Sequence, residues 1–372
     1  MAEPWTPGPD LPIPGYWAGQ YSLVALGNGK FLLAGGEDGR RKPLGRSFVY
    51  DGTWTETGPV VVPRRLCSVT KLRDGRVLVV GGLTGPPARP AAGTATAEIF
   101  DPGPRTWKGT GSLRQGRFAH TATLLPDDRV LVAGGIARRS ADSHHAVRSV
   151  EIFTPSTGLW ETTDAMTDPR FGQIAVPLLD DRILMVGGGV VIGPGSYGAQ
   201  AMCELYDPRT GKWTPTGNLA VARKGHQATR LIDGRVMVSG GDGRGLVNWE
   251  YERYSQYATE VYEPGQGTWK QAGDMTSGRS HHRDVLLPSG KVLQVGGTDD
   301  GTFDTGYRTA AMFDPGTLEW SEAPAPAVGR FGFATAEIGG KVLIAGGLKR
   351  SGAAAFDPGA DVATATSELL TI

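Results

Sequence analysis

The chain has 372 residues, and its 38 basic and 38 acidic side chains give a formal net charge of zero. That balance argues against a nucleic-acid or membrane-surface binder, which shows a clear basic excess. Fifty-six glycines and 26 prolines are more than a helical protein tolerates, yet hydrophobic residues reach 39% and cluster in short β-rich runs, so the chain does not read as disordered.

A Gly-Gly pair follows a short apolar run seven times along the chain. In order these are Phe31–Gly36, Val77–Gly82, Val130–Gly135, Ile183–Gly188, Val236–Gly241, Val292–Gly297 and Val342–Gly347. A tight turn ending in a basic residue (Lys30, Arg76, Arg129, Arg182, Arg235, Lys291, Lys341) precedes each run. Pairs such as Asn28-Gly29, Asp74-Gly75 and Asp233-Gly234 favour two-residue hairpins, because both residues tolerate positive φ. A second phrase follows each pair: Tyr50-Asp51, Phe100-Asp101-Pro102, Phe153-Thr154-Pro155, Tyr206-Asp207-Pro208, Tyr262-Glu263-Pro264, Phe313-Asp314-Pro315 and Phe356-Asp357-Pro358. Trp107, Trp160, Trp213, Trp269 and Trp320 lie six residues after the acid position, Trp54 lies three after Asp51, and the seventh copy has Ala363 where Trp is due.

Units of about 50 residues leave room for four short strands and no helices. One such sheet cannot bury both faces, whereas seven packed radially can, and closure leaves few exposed edges. The double glycine, the following aromatic and the spaced Trp resemble the Kelch repeat. The resemblance covers essentially the whole chain and implies an all-β, seven-bladed Kelch-type β-propeller. It is read as a single domain over residues 1–372, with the first strand of each blade nearest the axis. Trp5-Thr-Pro-Gly-Pro-Asp-Leu11 repeats the wording of Trp213–Leu219 with nothing before it. The N-terminal segment is therefore expected to complete the last blade. The competing arrangement gives that outer slot to Val362–Leu370.

Cys67 and Cys203 form no disulfide framework and lack metal-ligand spacing. No basic head with an apolar core marks a secretion signal, and no run of about 18 apolar residues marks a membrane span. A cytoplasmic monomer with no nucleic-acid or membrane partner is the expectation.

Long, variable segments follow each Gly-Gly and share a face with the approaches to the innermost strands; that face is expected to carry function. Two columns stand out in those approaches. The first is Ala18, Arg64, Arg117, Arg170, Arg223, Arg279 and Arg330. Arginines here either bridge blades and cap carbonyls, or ring the funnel mouth for a carboxylate or phosphate. Three residues later come Tyr21, Cys67, His120, Gln173, His226, His282 and Phe333. Imidazoles there can serve as acid or base. A three-His metal site is disfavoured because His120, His226 and His282 come from different blades and metal bonds of about 2.1 Å need convergence on one point.

Gly278–Asp284 (GRSHHRD) is the densest polar stretch. His226, His281, His282 and Asp284 are the acid–base candidates. Alternation on a strand places His282 and Asp284 on one side, and Asp284 either orients that His or pairs with an Arg. Tyr21, Arg64, Arg117, His120, Gln173, Arg223 and Arg279 are the ligand-binding candidates from the columns. Trp249 and Tyr254 in the fifth long segment, and Asp304 and Tyr307 in the sixth, join them as a ligand or partner surface. His144 and His145 read as a solvated loop.

The resemblance also sets a comparison for chemistry. Galactose-oxidase relatives hold copper with Tyr and His and carry a Tyr–Cys crosslink. Ser280 and His281 stand where the ligand Tyr would be sought, and neither Cys has an evident Tyr partner, so no cofactor is expected. Kelch-type sialic-acid epimerases act on an acidic sugar without metal, an analogy of fold rather than of site. Two functions stay open. One is a funnel that binds a small polar or anionic ligand, with metal-free turnover of isomerase, lyase or cyclase type as an open question. The other is a scaffold gripping a protein partner with the loops of blades five and six.

Overall fold

The computed structural model describes residues 4–17, 23–85, 92–140, 143–193, 196–247, 250–299, 305–351 and 361–372. Among these residues every regular element is a strand. Seven four-stranded antiparallel sheets form the blades of a propeller. The first strand of each (Leu23–Gly27, Ser68–Lys71, Thr121–Leu124, Ile174–Pro177, Gln227–Arg230, Arg283–Leu286, Ala334–Ile338) lies beside the first strand of the next, and the seventh lies beside the first. The second strands are the apolar runs before each Gly-Gly. Val77–Val80, Val130–Ala133, Ile183–Val186 and Val236–Ser239 are buried throughout, since blades cover them on both faces.

The third strand carries the aromatic and the fourth carries the Trp. Phe100 pairs across the ladder with Trp107, Phe153 with Trp160 and Tyr206 with Trp213, their rings about 5 Å apart. The indole N–H then reaches the preceding blade. Trp107 donates to Ser47 Oγ, Trp160 to Gly111 O, Trp213 to Asp164 O and Trp269 to Gly217 O. The Trp thus fastens one blade to the next.

The ring closes through its two ends. Thr6–Pro7 pairs with Glu368 and Leu369 of the strand Ser367–Thr371, as the outermost strand of blade seven. Trp5 donates to Pro324 O behind blade six, and Trp54 of blade one donates to Pro9 O. The N-terminal segment fills the outer slot as expected, and Val362–Leu370 does not.

The third strand of blade seven corrects the repeat assignment. Val342 pairs with Leu370, as Val77 pairs with Phe100. Ser367–Thr371 is therefore the true counterpart, with Leu370 in the aromatic position. Phe356 lies outside the described residues. The long segments also differ from loops. Among the described residues four blades carry two-stranded ladders there: Ile136–Ser140 with Ser143–Ala146, Gly189–Gly193 with Ser196–Ala199, Asp242–Val247 with Glu250–Ser255, and Leu348–Arg350 with Val362–Ala363. Pairing resumes beyond the Gly-Gly because the next residue bridges to the approach of its own blade, as in Phe118 with Ile136 and Lys224 with Asp242.

Candidate functional site

The two columns read from the sequence turn inward to the blades. Arg64, Arg117, Arg170, Arg223, Arg279 and Arg330 are each at most 1% exposed. Arg117 is representative: Nη1 donates to Gly134 O and Ser149 O, and Nη2 donates to Ser149 Oγ and Glu151 Oε1 at 2.8 Å. Arg64, Arg170, Arg223 and Arg330 make the same pair with Glu98, Glu204, Glu260 and Glu368. The carboxylate's other oxygen accepts a backbone N–H, such as that of Arg114 from Glu151. The guanidinium groups are thus engaged inside the blades and do not ring the funnel, a correction to the funnel ligand-binding role given to Arg64, Arg117, Arg223 and Arg279. Burial pushes the pKa of Arg117, Arg170 and Arg330 down, with the glutamates opposing it.

The second column forms wedges between blades. His282 lies against the first glycine of blade five, where a Cβ on Gly240 would sit 2.5 Å from its Cε1; a Cβ on Gly297 of its own blade would sit 2.9 Å from its Cβ. His120, Gln173 and His226 lie against Gly81, Gly134 and Gly187 in the same way. The repeated Gly-Gly is therefore a clamp for this side chain as well as a positive-φ turn. His120 bonds Ser68 Oγ at 2.8 Å, and Gln173 donates to Ala133 O at 2.8 Å. Burial drives the pKa of both His120 and His226 down to about 3, helped by Arg117 and Arg223 respectively, so these rings are neutral. His282, equally buried, is shifted well down by the same cause. His120, Gln173 and His226 thus wedge the seams and also border the funnel cavity, whereas His282 does not line it.

Blade one is out of step with the sequence columns. Tyr16 bridges Glu37 as Arg65 bridges Leu83, which puts Gly15, not Ala18, at the Arg position. The Trp17 indole fills the vacated space and donates to Gly35 O, the carbonyl equivalent to Arg64's Gly81 O. Ala18 and Tyr21 lie outside the described residues, as do Trp249 and Asp304; of Tyr254 only the backbone strand is described. Tyr307 lies under the Arg279 guanidinium, 5.3 Å from ring centroid to Cζ. His144 and His145 stand on a hairpin strand, and His144 packs edge-on against Phe118.

The funnel is bordered by Cys67, His120, Gln173 and His226 of the second column together with a further column two residues after the Arg: Leu66, Ala119, Gly172, Gly225 and His281, of which the sequence singled out His281 alone. The members of that further column all have positive φ, between 52° and 63°. Backbone bonds link neighbours around the axis: Ala119 N to Leu66 O, Gly172 N to Ala119 O, His281 N to Gly225 O and Gly332 N to His281 O. The cavity they enclose has a volume of about 340 Å³. One wall is apolar, built from Leu66, Phe118, Ile136, Phe171 and Tyr197. The opposite wall carries Lys224, Asp242, His281 and Arg283. Lys224 Nζ pairs with Asp242 Oδ2. A Cβ on Gly225 would lie 3.0 Å from Asp242 Oδ1 and 3.4 Å from His281 Nε2, so carboxylate and imidazole converge on that glycine.

Gln227 and Arg283 border both this cavity and a second one of about 450 Å³ lower on the axis. Arg283 is held by Phe333 O at 2.9 Å and Trp17 O at 2.7 Å. Burial lowers its pKa to about 10, so it stays cationic at neutral pH. Asp284 turns from the funnel into the blade five–six seam, where Ser239 Oγ donates to it at 2.6 Å and meets His282 Nε2 at 2.9 Å. Burial raises the Asp284 pKa to about 7.

No protein-family model matches the chain. It is 24% identical over 291 residues to Kelch-like protein 23 of Mus musculus, a match covering 77% of this chain and 47% of that protein. It is 26% identical over 243 residues to Kelch-like protein terF of Aspergillus terreus (62% and 50% covered) and 25% identical over 355 residues to galactose oxidase of Gibberella zeae (86% and 48%). The chain is a Kelch-repeat β-propeller. It spans about half the length of these curated relatives. Among solved structures, the propeller resembles a copper complex of a fungal alcohol oxidase of the AA5 family, with TM-score 0.69 and 15% identity over 100% of this chain and 76% of that one. It also resembles YjhT, with TM-score 0.64 and 15% identity over 85% and 99%. At that identity the likeness is one of fold.

A copper centre of the oxidase kind does not fit this propeller's residues. Cys67 packs on Gly35 and Cys203 is buried in a blade core, with burial raising both thiol pKa values. Among the described residues no three His, Cys, Asp or Glu side chains come together to hold a metal ion. Among the described residues no helix is long and apolar enough to cross a membrane.

Proposed function

We propose that this propeller binds a small anionic molecule with an apolar or aromatic body in the funnel between Phe118 and Lys224. The observation that carries the reading is the two-sided cavity, with an apolar wall facing the two cations Lys224 and Arg283 and the carboxylate of Asp242. A ring or alkyl body gains burial against Leu66, Phe118, Ile136 and Phe171, while a carboxylate or phosphate faces Lys224 and Arg283. Where turnover occurs, His281 is the acid–base group, because it borders the cavity and its imidazole lies near Asp242. His226 borders the cavity as a neutral ring, and His282 and Asp284 support the walls from the seam between blades five and six. An isomerase, lyase or cyclase reaction needs no more than proton movement at such a group.

Calorimetric titration with a panel of aryl and alkyl carboxylates and phosphates tests this reading. A hit should lose about tenfold in affinity, or about 1.4 kcal/mol, on Lys224→Gln and a similar amount on Phe118→Ala. His281→Gln should leave binding intact and remove any turnover. Binding that ignores both Lys224→Gln and Phe118→Ala sinks the proposal.

A second reading rests on the hairpin Gly189–Ala199, where Ile192 is 58% exposed beside half-buried Val190 and Val191. Standing on the funnel face, it favours a protein partner. If Ile192→Asp abolished a pull-down partner that funnel substitutions left bound, the scaffold reading would replace the first.

A further inference from the structure

Blade six breaks the buried pairing that the other Arg-bearing blades share. In those five, an apolar residue on the second strand pairs in register with the glutamate on the third: Val79 with Glu98, Val132 with Glu151, Met185 with Glu204, Val238 with Glu260, and Ile344 with Glu368. In blade six the pair is Gln294 with Ala311. Arg279 is kept and its carboxylate is gone. Blade one, by contrast, lacks both partners, with Gly15 and Phe48 at the equivalent positions.

The donors built around the glutamate remain in blade six. Arg279 Nη2 donates to Ser277 Oγ at 2.9 Å and to Thr309 Oγ1 at 3.0 Å. A hydroxyl that accepts from a guanidinium has its own proton left to give. The amide of the residue three before each Arg donates to the glutamate in all five complete blades: Val61, Arg114, Thr167, Ala220 and Ala327. Thr276 holds that position in blade six. Gln294 is fully buried; its Nε2 lies against the weak acceptor Met275 Sδ and its Oε1 has no partner, while Arg279 Nε is also buried without one. The Tyr307 ring offers only its quadrupole to the cation. Thr276 is exposed and Ser277 half-buried, so the position opens to solvent.

We infer that blade six binds a small monovalent anion, of chloride or formate size, among the Ser277 hydroxyl, the Thr276 amide and Arg279, where the other blades place a glutamate carboxylate. The anion takes the place of the glutamate carboxylate that the five other Arg-bearing blades set against the guanidinium. The site is separate from the funnel and does not depend on the function proposed for it.

Bromide and the melting temperature test this site. Crystals of the full chain grown in bromide should show an anomalous peak beside Ser277 Oγ and Thr276 N. In solution, replacing gluconate by chloride at constant ionic strength should raise the melting temperature saturably, by about 2 °C or more; formate should act alike. Ala311→Glu supplies the missing carboxylate and should abolish the response. Ser277→Ala, which removes the hydroxyl that accepts from Arg279 Nη2 and adds no bulk, should weaken it and serves if Ala311→Glu does not fold. A bromide map with no peak there, or a chloride response that persists in both variants, overturns the inference.

Discussion

Replacing Trp5 by alanine tests whether the ring is held at its seam by a single side chain. The indole is 8% exposed and belongs to the apolar cluster that holds Val285, Leu293 and Val295 of blade six and Val342, Ile344 and Leu370 of blade seven. Its N–H donates to Pro324 O at 2.7 Å. A buried Trp removes about 200 Å² from water, worth about 5 kcal/mol at about 25 cal/mol per Å², and the hydrogen bond adds about 1 kcal/mol. Relaxation into the gap recovers part of this, so the expected loss is about 4 kcal/mol, within the range for Trp→Ala in cores. Trp5→Phe keeps most of the area and should cost about 1.5 kcal/mol, chiefly the hydrogen bond. Urea unfolding followed by far-ultraviolet circular dichroism reads both values. Trp213→Ala, inside the ring, sets the scale. If Trp5→Ala cost under about 1 kcal/mol while Trp213→Ala cost several, the closure would rest on backbone pairing and the argument from the indole would fail.

Breaking one internal pair should be costly and removing both partners should not. Glu151→Gln leaves Arg117 buried without its counter-charge and should lose about 3 kcal/mol, while Arg117→Met with Glu151→Leu should recover most of it; a double variant as unstable as the single one in urea would refute this. Two groups should tilt stability with pH in opposite senses. His120 has a folded pKa of about 3 against an ordinary 6.5, so its contribution is present above pH 6.5 and is lost as pH falls towards 3. Gln occupies the same slot in blade four, so His120→Gln should narrow the gap in melting temperature between pH 7 and pH 4.5. Asp284, raised from 3.8 to about 7, contributes fully below pH 3.8 and loses that contribution as pH rises to about 7. Asp284→Asn should therefore gain more over wild type at pH 8 than at pH 5; an equal gain at both would show that Asp284 does not titrate in this window.

What was legible in the sequence was what the fold repeats. Gly-Gly, the aromatic and the Trp recur because each blade must solve the same packing problem against its neighbour. The Arg column was visible for the same reason, but its direction was not, because an Arg at a funnel mouth and an Arg in a blade have the same spacing. The glutamate two residues before the aromatic would have decided it: Ala97-Glu98-Ile99-Phe100, Val150-Glu151-Ile152-Phe153, Cys203-Glu204-Leu205-Tyr206 and Thr259-Glu260-Val261-Tyr262. The same signal marks Ser367-Glu368-Leu369-Leu370 as the third strand of blade seven, where Phe356-Asp357-Pro358 drew the eye through its aromatic and proline alone. Blade one slipped by three residues because Trp17 replaces the Arg from a different backbone position.

His120, Gln173, His226 and His281 were legible as funnel residues, but the column to which His281 belongs was not, for a reason that follows from the fold. Leu66, Ala119, Gly172, Gly225 and His281 share a left-handed backbone and little else. What the scaffold requires there is a conformation and a carbonyl for the next blade, which places little demand on side-chain type. A seven-fold ring that binds an asymmetric molecule must break its symmetry somewhere, and it does so most cheaply where packing asks least of the side chain. The adjacent positions behave alike: Arg65, Phe118, Phe171, Lys224, Ser280 and Phe331 occupy equivalent bridges in successive blades yet span cationic, polar and aromatic chemistry. Of these, the members that line the cavity are Phe118 and Phe171 on blades three and four and Lys224 on blade five, which gives the cavity its two walls. In this propeller, then, the side chains that repeat hold the blades, and those that change from blade to blade at the axis determine what the funnel can hold.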